Sequence, residues 1–225
     1  MNSIQAPPHN RAFAVLRGLA RNPVPPVSPV PLERCEMCSS RLAADHQHLV
    51  ELVKQKLICA CDACALLFSG KGATKYKRVP RRVLYLEDFS IVDAQWNGLM
   101  IPIDIAFFRH STRDRKMIAM YPSPAGPTES LLSLEAWNEI AQENPVLNTM
   151  EPDVEALLVN RLGHARGYSA AAYYLLPIDR CYALTGLIRA NWRGLSGGTE
   201  VWRQIGLFFE ELKESGGVRR SPANA

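Results

Sequence analysis

Five of the six cysteines lie between residues 35 and 64, and four of them form two Cys-x-x-Cys pairs. The first pair is Cys35 and Cys38, and the second, after 22 intervening residues, is Cys61 and Cys64. A structural zinc ion takes four thiolate or imidazole ligands in a tetrahedral arrangement, and two pairs with this spacing can supply all four. We therefore predict that these cysteines bind one transition-metal ion rather than remaining free buried thiols.

Three further residues could take part in the site. Cys59 lies two residues before Cys61 and could replace it, and His46 or His48 could supply a nitrogen ligand. The alternative interpretation of the two histidines is a solvated polar turn. Cys181 lies far from the others in the chain, and we expect it to be a small core residue.

Zinc and iron are the two metals to compare at a four-thiolate site. A single redox-active iron also binds four cysteines, as in rubredoxins. Rubredoxin knuckles usually carry glycine after the second cysteine of each pair, whereas Ser39 and Ala65 occupy those places here. We predict zinc, with iron as the alternative. Because four thiolates leave no open coordination position, the expected role of the ion is structural.

The residues between the pairs indicate how the pairs meet. Residues 48–53 and 56–59 are strand-like and are separated by a short turn at 54–55, and residues 65–68 begin a helix. A knuckle, a hairpin and a helix that carries the second pair resemble small treble-clef or zinc-ribbon modules. We place this cysteine metal-binding module at residues 33–69.

Composition divides the remainder of the chain. Residues 1–32 carry seven prolines and are predicted to be a disordered tail. Residues 70–82 hold six basic residues and no acidic one, which indicates a basic connector. Residues 83–215 form the main domain, and residues 216–225 are a second disordered tail.

The main domain is predicted to be α+β, with an antiparallel sheet covered by helices on one face. Residues 121–129 are expected to be a loop because three prolines and a glycine punctuate them. Asp179 and Thr199 are expected to cap the last two helices. The predicted strands are 83–86, 99–108, 117–121, 156–160 and 172–177, and the predicted helices are 134–143, 179–192 and one that begins at 199.

The main domain shows no phosphate-binding loop, dinucleotide fingerprint or Gly-x-Ser-x-Gly elbow, so we favour a non-catalytic protein. An enzyme that uses the 121–129 loop and Asp179 stays open as an alternative. Arg189 and Arg193 are four residues apart beside Trp192, which predicts a helix face that could bind a protein, a carboxylate or a phosphate. Their simpler interpretation is a pair of cations near a helix C-terminus.

Charge and hydropathy limit the classes of partner. The net charge of +4 is mild, and the basic run 71–82 with Tyr76 inside it suggests nucleic-acid contact as a less favoured alternative. Pro80 interrupts any long recognition helix in that run. No run of 18 apolar residues and no signal peptide occur, so we expect no membrane insertion and a cytoplasmic location, where thiols stay reduced.

Several stretches of residues 33–212 resemble one protein family: ERCEMC, HQHL, LICACDACALLF, YPSPAGPTESLLSLEAW, NPVL, EPDVEALLVNR and LIRANWRGLSGG. This family is bacterial, largely actinobacterial, without an assigned activity, and encoded near uptake nickel–iron hydrogenase genes. The resemblance implies an accessory role in assembly, maturation or function of such a hydrogenase, with a hydrogenase subunit or maturation factor as the partner. It supplies no catalytic residues.

Overall fold

The computed structural model describes residues 33–219, except 71, 73–74, 132–133 and 165–166. The tail expected at residues 1–32 lies outside this part of the chain. Helices and largely antiparallel strands make up the described residues, so the predicted α+β class is confirmed. None of the helices in this part has the length and apolar character needed to cross a membrane.

The first sheet is small and lies next to the cysteines. It consists of β1 (Gln47–Glu51), β2 (Lys56–Ala60) and β3 (Tyr76–Arg78), in the antiparallel order β2-β1-β3. Helix α1 (Asp62–Phe68) begins two residues after β2 ends. The predicted hairpin and helix are therefore present, and β3 comes from the stretch expected to connect the two units.

The second sheet has seven strands within the described residues, in the order β10-β4-β9-β8-β5-β6-β7. All neighbouring strands are antiparallel except β10 and β4, which are parallel. The strands are β4 (Leu84–Leu86), β5 (Ile105–Ser111), β6 (Lys116–Ser123), β7 (Gly126–Ser130), β8 (Glu155–Asn160), β9 (Ala172–Pro177) and β10 (Gly217–Arg219).

Helices cover both faces of this sheet. On β5, Ile105 and Phe107 point into one core, whereas Ala106 and Phe108 point into the other, because successive side chains of a strand alternate between its faces. The first core contains residues of α4 (Ile178–Asn191) and α5 (Gly198–Ser215). The second contains residues of α2 (Asp93–Gly98), α3 (Leu134–Glu143) and a 3-10 helix (Pro145–Thr149).

The expectation of helices on a single face was therefore wrong. Strands that are buried on both sides are nearly continuous apolar runs, and residues 155–159 are buried one after another. The predicted apolar spacing of the last helix is confirmed, because Val201, Ile205, Phe208, Phe209 and Leu212 are all buried.

Other local predictions need correction. Residues 121–129 are not a loop but part of the β6–β7 hairpin. Asp179 lies in the first turn of α4, whose N-cap is Pro177, and the N-cap of α5 is Gly197 rather than Thr199. Gly197 has φ 87°, a left-handed conformation that glycine adopts without strain. Residues 217–219 lie in the stretch expected to be a tail, yet they form β10.

The small sheet packs directly on the large one. Val50 and Val79 belong to the core under α4 and α5, whereas Leu49, Ile58 and Ala60 form a third core with cysteines of the module. The β1–β2 hairpin thus has one face toward the main domain and the other toward the cysteine cluster. The main domain consequently supports the module along one whole face of the hairpin.

Candidate metal centre

The four predicted cysteines converge in space. The Sγ atoms of Cys35, Cys38, Cys61 and Cys64 all lie within 4.8 Å of one another, and none is in a disulfide. In a tetrahedral zinc site with Zn–S bonds of about 2.3 Å, the sulfur atoms are about 3.8 Å apart. The Sγ atoms of Cys38 and Cys61 already lie 3.7 Å apart. The cluster needs only a small contraction to surround an ion.

A tight turn positions the first pair. The amide of Cys35 donates to the carbonyl of Ser40 at 2.9 Å, and the amide of Ser39 donates to the carbonyl of Cys35 at 2.8 Å. Ser39 has φ 63°, the left-handed conformation that favours glycine. The knuckle therefore forms without the glycine that rubredoxins place there. The sequence argument against iron is weaker as a result.

The start of α1 positions the second pair. Cys61 is the N-cap of this helix, and its Sγ accepts a hydrogen bond from the amide of Cys64 at 3.4 Å. Unpaired amides at a helix N-terminus stabilise negative charge, which suits a thiolate. Glu36 connects the two pairs, because its carboxylate accepts from the amide of Cys59 at 3.1 Å and from Lys56 at 2.5 Å.

The thiols of the cluster differ in acidity. Burial disfavours the Cys35 thiolate, but backbone amides of Cys61, Cys38 and Met37 outweigh it and lower the pKa of Cys35 to about 6. The amide of Cys64 lowers the pKa of Cys61. Burial, and then hydrogen bonds with the neighbouring thiols, raise the pKa of Cys64 to about 12. Cys35 is therefore largely ionised near neutral pH, while Cys64 must lose its proton to an incoming ion.

The three possible substitutes do not join this cluster but form a group of their own. Ligand atoms of His46, His48 and Cys59 lie within 4.8 Å of one another. His48 and Cys59 are directly opposite each other on β1 and β2. Sequence reasoning treated these residues as alternatives for the first site because the register of the hairpin was unknown. The signal that could have separated them is the i, i+2 spacing of two histidines entering a strand.

The predicted partner-binding residues lie at the C-terminal end of α4. The guanidinium of Arg193 donates to the carbonyls of Ala190 and Trp192, at 3.1 and 2.9 Å. Arg189 is exposed, and the Trp192 ring contacts that of Trp202 with 6.1 Å between centroids. Arg193 thus caps the helix end, and partner binding by these residues stays a prediction.

The basic run is not an open cationic surface. Lys77 pairs with Glu151 at 3.2 Å, and the Nη1 atom of Arg81 lies 2.7 Å from Asp45. Among the other basic side chains that the structure describes in this run, Lys75 contacts Glu51, Arg78 contacts Gln47, and Arg82 contacts Glu155. Because acidic or amide groups of the same chain contact these side chains, the geometry does not favour nucleic-acid binding.

The residues considered for an enzyme have local partners. The hydroxyl of Ser123 donates to the carbonyl of Gly126 at 2.8 Å and lies 3.1 Å from the hydroxyl of Thr128, so these groups stabilise the hairpin turn. Asp179 binds His48. The Ser123 contacts stabilise a turn, whereas the His48–Asp179 pair is an imidazole oriented by a carboxylate.

Comparison with protein families places most of the chain in a family. Residues 34–216 match a family of unknown function, DUF5947. No curated protein and no solved structure is significantly similar to the chain. The match includes both cysteine pairs, His46, His48 and every strand of the large sheet except β10. The chain therefore belongs to the DUF5947 family.

Proposed function

We propose that Cys35, Cys38, Cys61 and Cys64 bind one structural zinc ion that stabilises the module. The observation that carries this proposal is the convergence of four sulfur atoms from two distant segments within 4.8 Å. Four thiolates close the coordination sphere, so the ion binds no substrate. A segment this small has little core of its own, and metal binding would contribute to its folding free energy.

Zinc is favoured over iron by the relative affinities of divalent ions. Sites with nitrogen or sulfur ligands bind Zn²⁺ more tightly than Fe²⁺ in the usual order of stability. Iron is the second candidate because Ser39 adopts the knuckle conformation without glycine. An iron site would give the protein an electron-transfer role instead of a purely structural one.

Metal analysis of the purified protein, combined with visible spectroscopy, tests this part of the proposal. We expect zinc, no visible colour, and loss of the ion in Cys64→Ala. The control Cys181→Ala removes a buried core thiol outside the cluster and should keep the ion. Visible absorbance that bleaches on reduction would instead establish iron.

We further propose that the chain is a non-catalytic accessory protein that binds a subunit or maturation factor of a nickel–iron uptake hydrogenase. The closed four-cysteine site and the turn contacts of Ser123 support a non-catalytic role. The support for this partner is the sequence resemblance over residues 33–212.

Co-purification with tagged hydrogenase subunits from the native host tests the choice of partner. We expect specific recovery of the wild-type chain and reduced recovery of Arg189→Ala combined with Trp192→Ala. Arg203→Ala is the control, because Arg203 is an exposed cation on α5 rather than α4. It pairs with Glu200 of the same helix. Unchanged hydrogenase assembly and activity in a deletion strain would contradict the proposal.

A further inference from the structure

The β1–β2 hairpin carries a second group of metal-ligating side chains. His48 and Cys59 are cross-strand partners, and His46 lies two residues before His48, so all three can share one face. The two imidazole centroids are 4.7 Å apart. One ligand atom from each of the three residues lies within 4.8 Å of the others.

Hydrogen bonds fix which ring nitrogen is free on each histidine. The Nδ1 atom of His46 lies 2.9 Å from the carbonyl of Ala43, and that of His48 lies 2.9 Å from a carboxylate oxygen of Asp179. A carbonyl or carboxylate oxygen accepts, so Nδ1 carries the proton and Nε2 keeps its lone pair. Histidines that bind metals are oriented in this way by carbonyl and carboxylate groups.

A buried nitrogen without a hydrogen bond points to a ligand. The side chain of His46 is 6% exposed, and its Nε2 atom is buried with no hydrogen-bond partner among the described residues. Glu33 Oε2 lies 3.4 Å away, without hydrogen-bond geometry. Leaving such a group unpaired costs about 1–3 kcal/mol. A bound cation would satisfy the nitrogen and would be attracted by the Glu33 carboxylate.

We propose that Nε2 of His46, Nε2 of His48 and Sγ of Cys59 bind a second divalent transition-metal ion, with Asp179 as a positioning residue. Two imidazoles and one thiolate suit zinc. Three protein ligands leave a fourth position for water or another ligand, in contrast to the closed four-cysteine site.

An open cavity of about 630 Å³ borders this group, and His46, His48 and Asp179 contribute to its wall. Cavities of about 300–1,000 Å³ are typical of sites for small ligands. Water or a small anion can therefore reach the ion from the cavity. The site shares no ligand with the four-cysteine cluster, so each can be present without the other.

Titration of the metal-free protein with Co²⁺ tests this inference. Thiolate-to-cobalt charge transfer reports Co–S bonds, and the wild type should bind two ions with five such bonds in total. Cys59→Ala should bind one ion and lose about one fifth of the charge-transfer absorbance, since one thiolate of five is removed. His48→Ala should also bind a single ion, with the absorbance of the four-thiolate site intact.

Cys181→Ala is the matched control, because it removes a cysteine from the core of the main domain and should keep both ions. The retained four-thiolate spectrum shows in every variant that the module is folded. Saturation of the wild type at one ion would overturn the proposal. So would two bound ions in both Cys59→Ala and His48→Ala, or loss of the four-thiolate spectrum in Cys59→Ala.

Discussion

At the scale of single residues, burial and hydrogen bonds make chemically identical thiols behave differently. Cys35 has a pKa lowered to about 6 and Cys64 one raised to about 12. An ion that binds near neutral pH displaces the proton of Cys64 but finds Cys35 already ionised. Below pH 6 the ion must displace a proton from Cys35 as well. The number of protons released on binding therefore depends on pH.

We predict that zinc affinity falls as pH falls, and more steeply once the pH is below the Cys35 pKa of about 6. Each additional proton displaced per ion steepens the loss of affinity by about tenfold per pH unit. Competition with a chromophoric chelator between about pH 5 and pH 8 measures how steeply zinc affinity changes with pH above and below pH 6. Equal slopes above and below pH 6 would show that Cys35 is not preferentially ionised.

The first site could be predicted from the sequence because its ligands are contained in two short motifs of local geometry. The second group could not be predicted as a site of its own, because it forms only when residues that are distant in the sequence come together. His48 lies opposite Cys59 in the observed register of the hairpin. The turn at Gln55, which has φ 53°, permits this register. Asp179, which orients His48, comes from α4, 131 residues further along the chain.

At the scale of elements, one buried ion pair joins the stretch that follows β3 to the large sheet. The side chain of Glu155 in β8 is 0% exposed, and it accepts hydrogen bonds from the guanidinium of Arg82 and from the amide of Glu151 at 2.8 Å. Removing one partner of a buried pair leaves an uncompensated charge. Arg82 is half-exposed, so water can reach the space that its side chain would leave. This reduces the loss of stability.

We predict that Arg82→Ala lowers the free energy of unfolding by on the order of 2 kcal/mol. Arg81→Ala is the matched control: Arg81 pairs with an exposed Asp45, and such surface pairs contribute about 0–1 kcal/mol. Urea denaturation of both variants measures the difference. Equal losses of stability would mean that the Glu155 carboxylate is compensated by other groups.

The two faces of β1 give a further prediction. Leu49 packs in the core of the module with Cys35 and Cys64, whereas Val50 packs under α4. Leu49→Ala should lower both stability, by about 2–5 kcal/mol, and zinc affinity, because it loosens the core that contains two of the ligands. Val50→Ala should lower stability with a smaller effect on zinc affinity. Chelator competition measures the zinc affinity of both variants, and urea denaturation measures their stability. A larger loss of zinc affinity in Val50→Ala than in Leu49→Ala would contradict the assignment of the two faces.

Periodicity alone identified most strands and helices, but it failed where tertiary context decides. Residues 121–129 contain Pro122, Pro124 and Pro127, which indicates a loop. Pro122 and Pro127 are instead opposite each other in the β6–β7 pair. Pro127 is on the edge strand β7, and Pro122 lies beyond the residues of β6 that pair with β5, so neither missing amide interrupts a ladder there. The position of β7 at the edge was not available from the sequence.

At the scale of the whole molecule, the β1–β2 hairpin connects the cysteine cluster to the main domain. The module core and the core under α4 and α5 lie on opposite faces of the same strands. Contacts such as Gln55 with Arg109 at 2.5 Å and Lys77 with the carbonyl of Pro152 at 2.8 Å also cross this junction. Loss of the ion should therefore also affect residues of the main domain that contact the hairpin.

We predict that removal of the metal by a chelator increases amide hydrogen exchange in residues 35–64 and in β3, and to a lesser extent in α4. The central strands β5 and β8 should stay protected, because apolar packing on both faces stabilises them without the module. Hydrogen exchange with mass spectrometry measures this gradient. Unchanged exchange in residues 35–64 would show that the ion adds nothing to the fold.

The edges of the large sheet also limit self-association. On one side β7 presents Pro127, which has no amide hydrogen, and an exposed Glu129 that pairs with Lys116 at 3.5 Å. On the other side β10 is only three residues long. Such short, charged or proline-bearing edges are poor templates for strand addition from a second chain. Strand addition at these two edges of the large sheet is thus disfavoured.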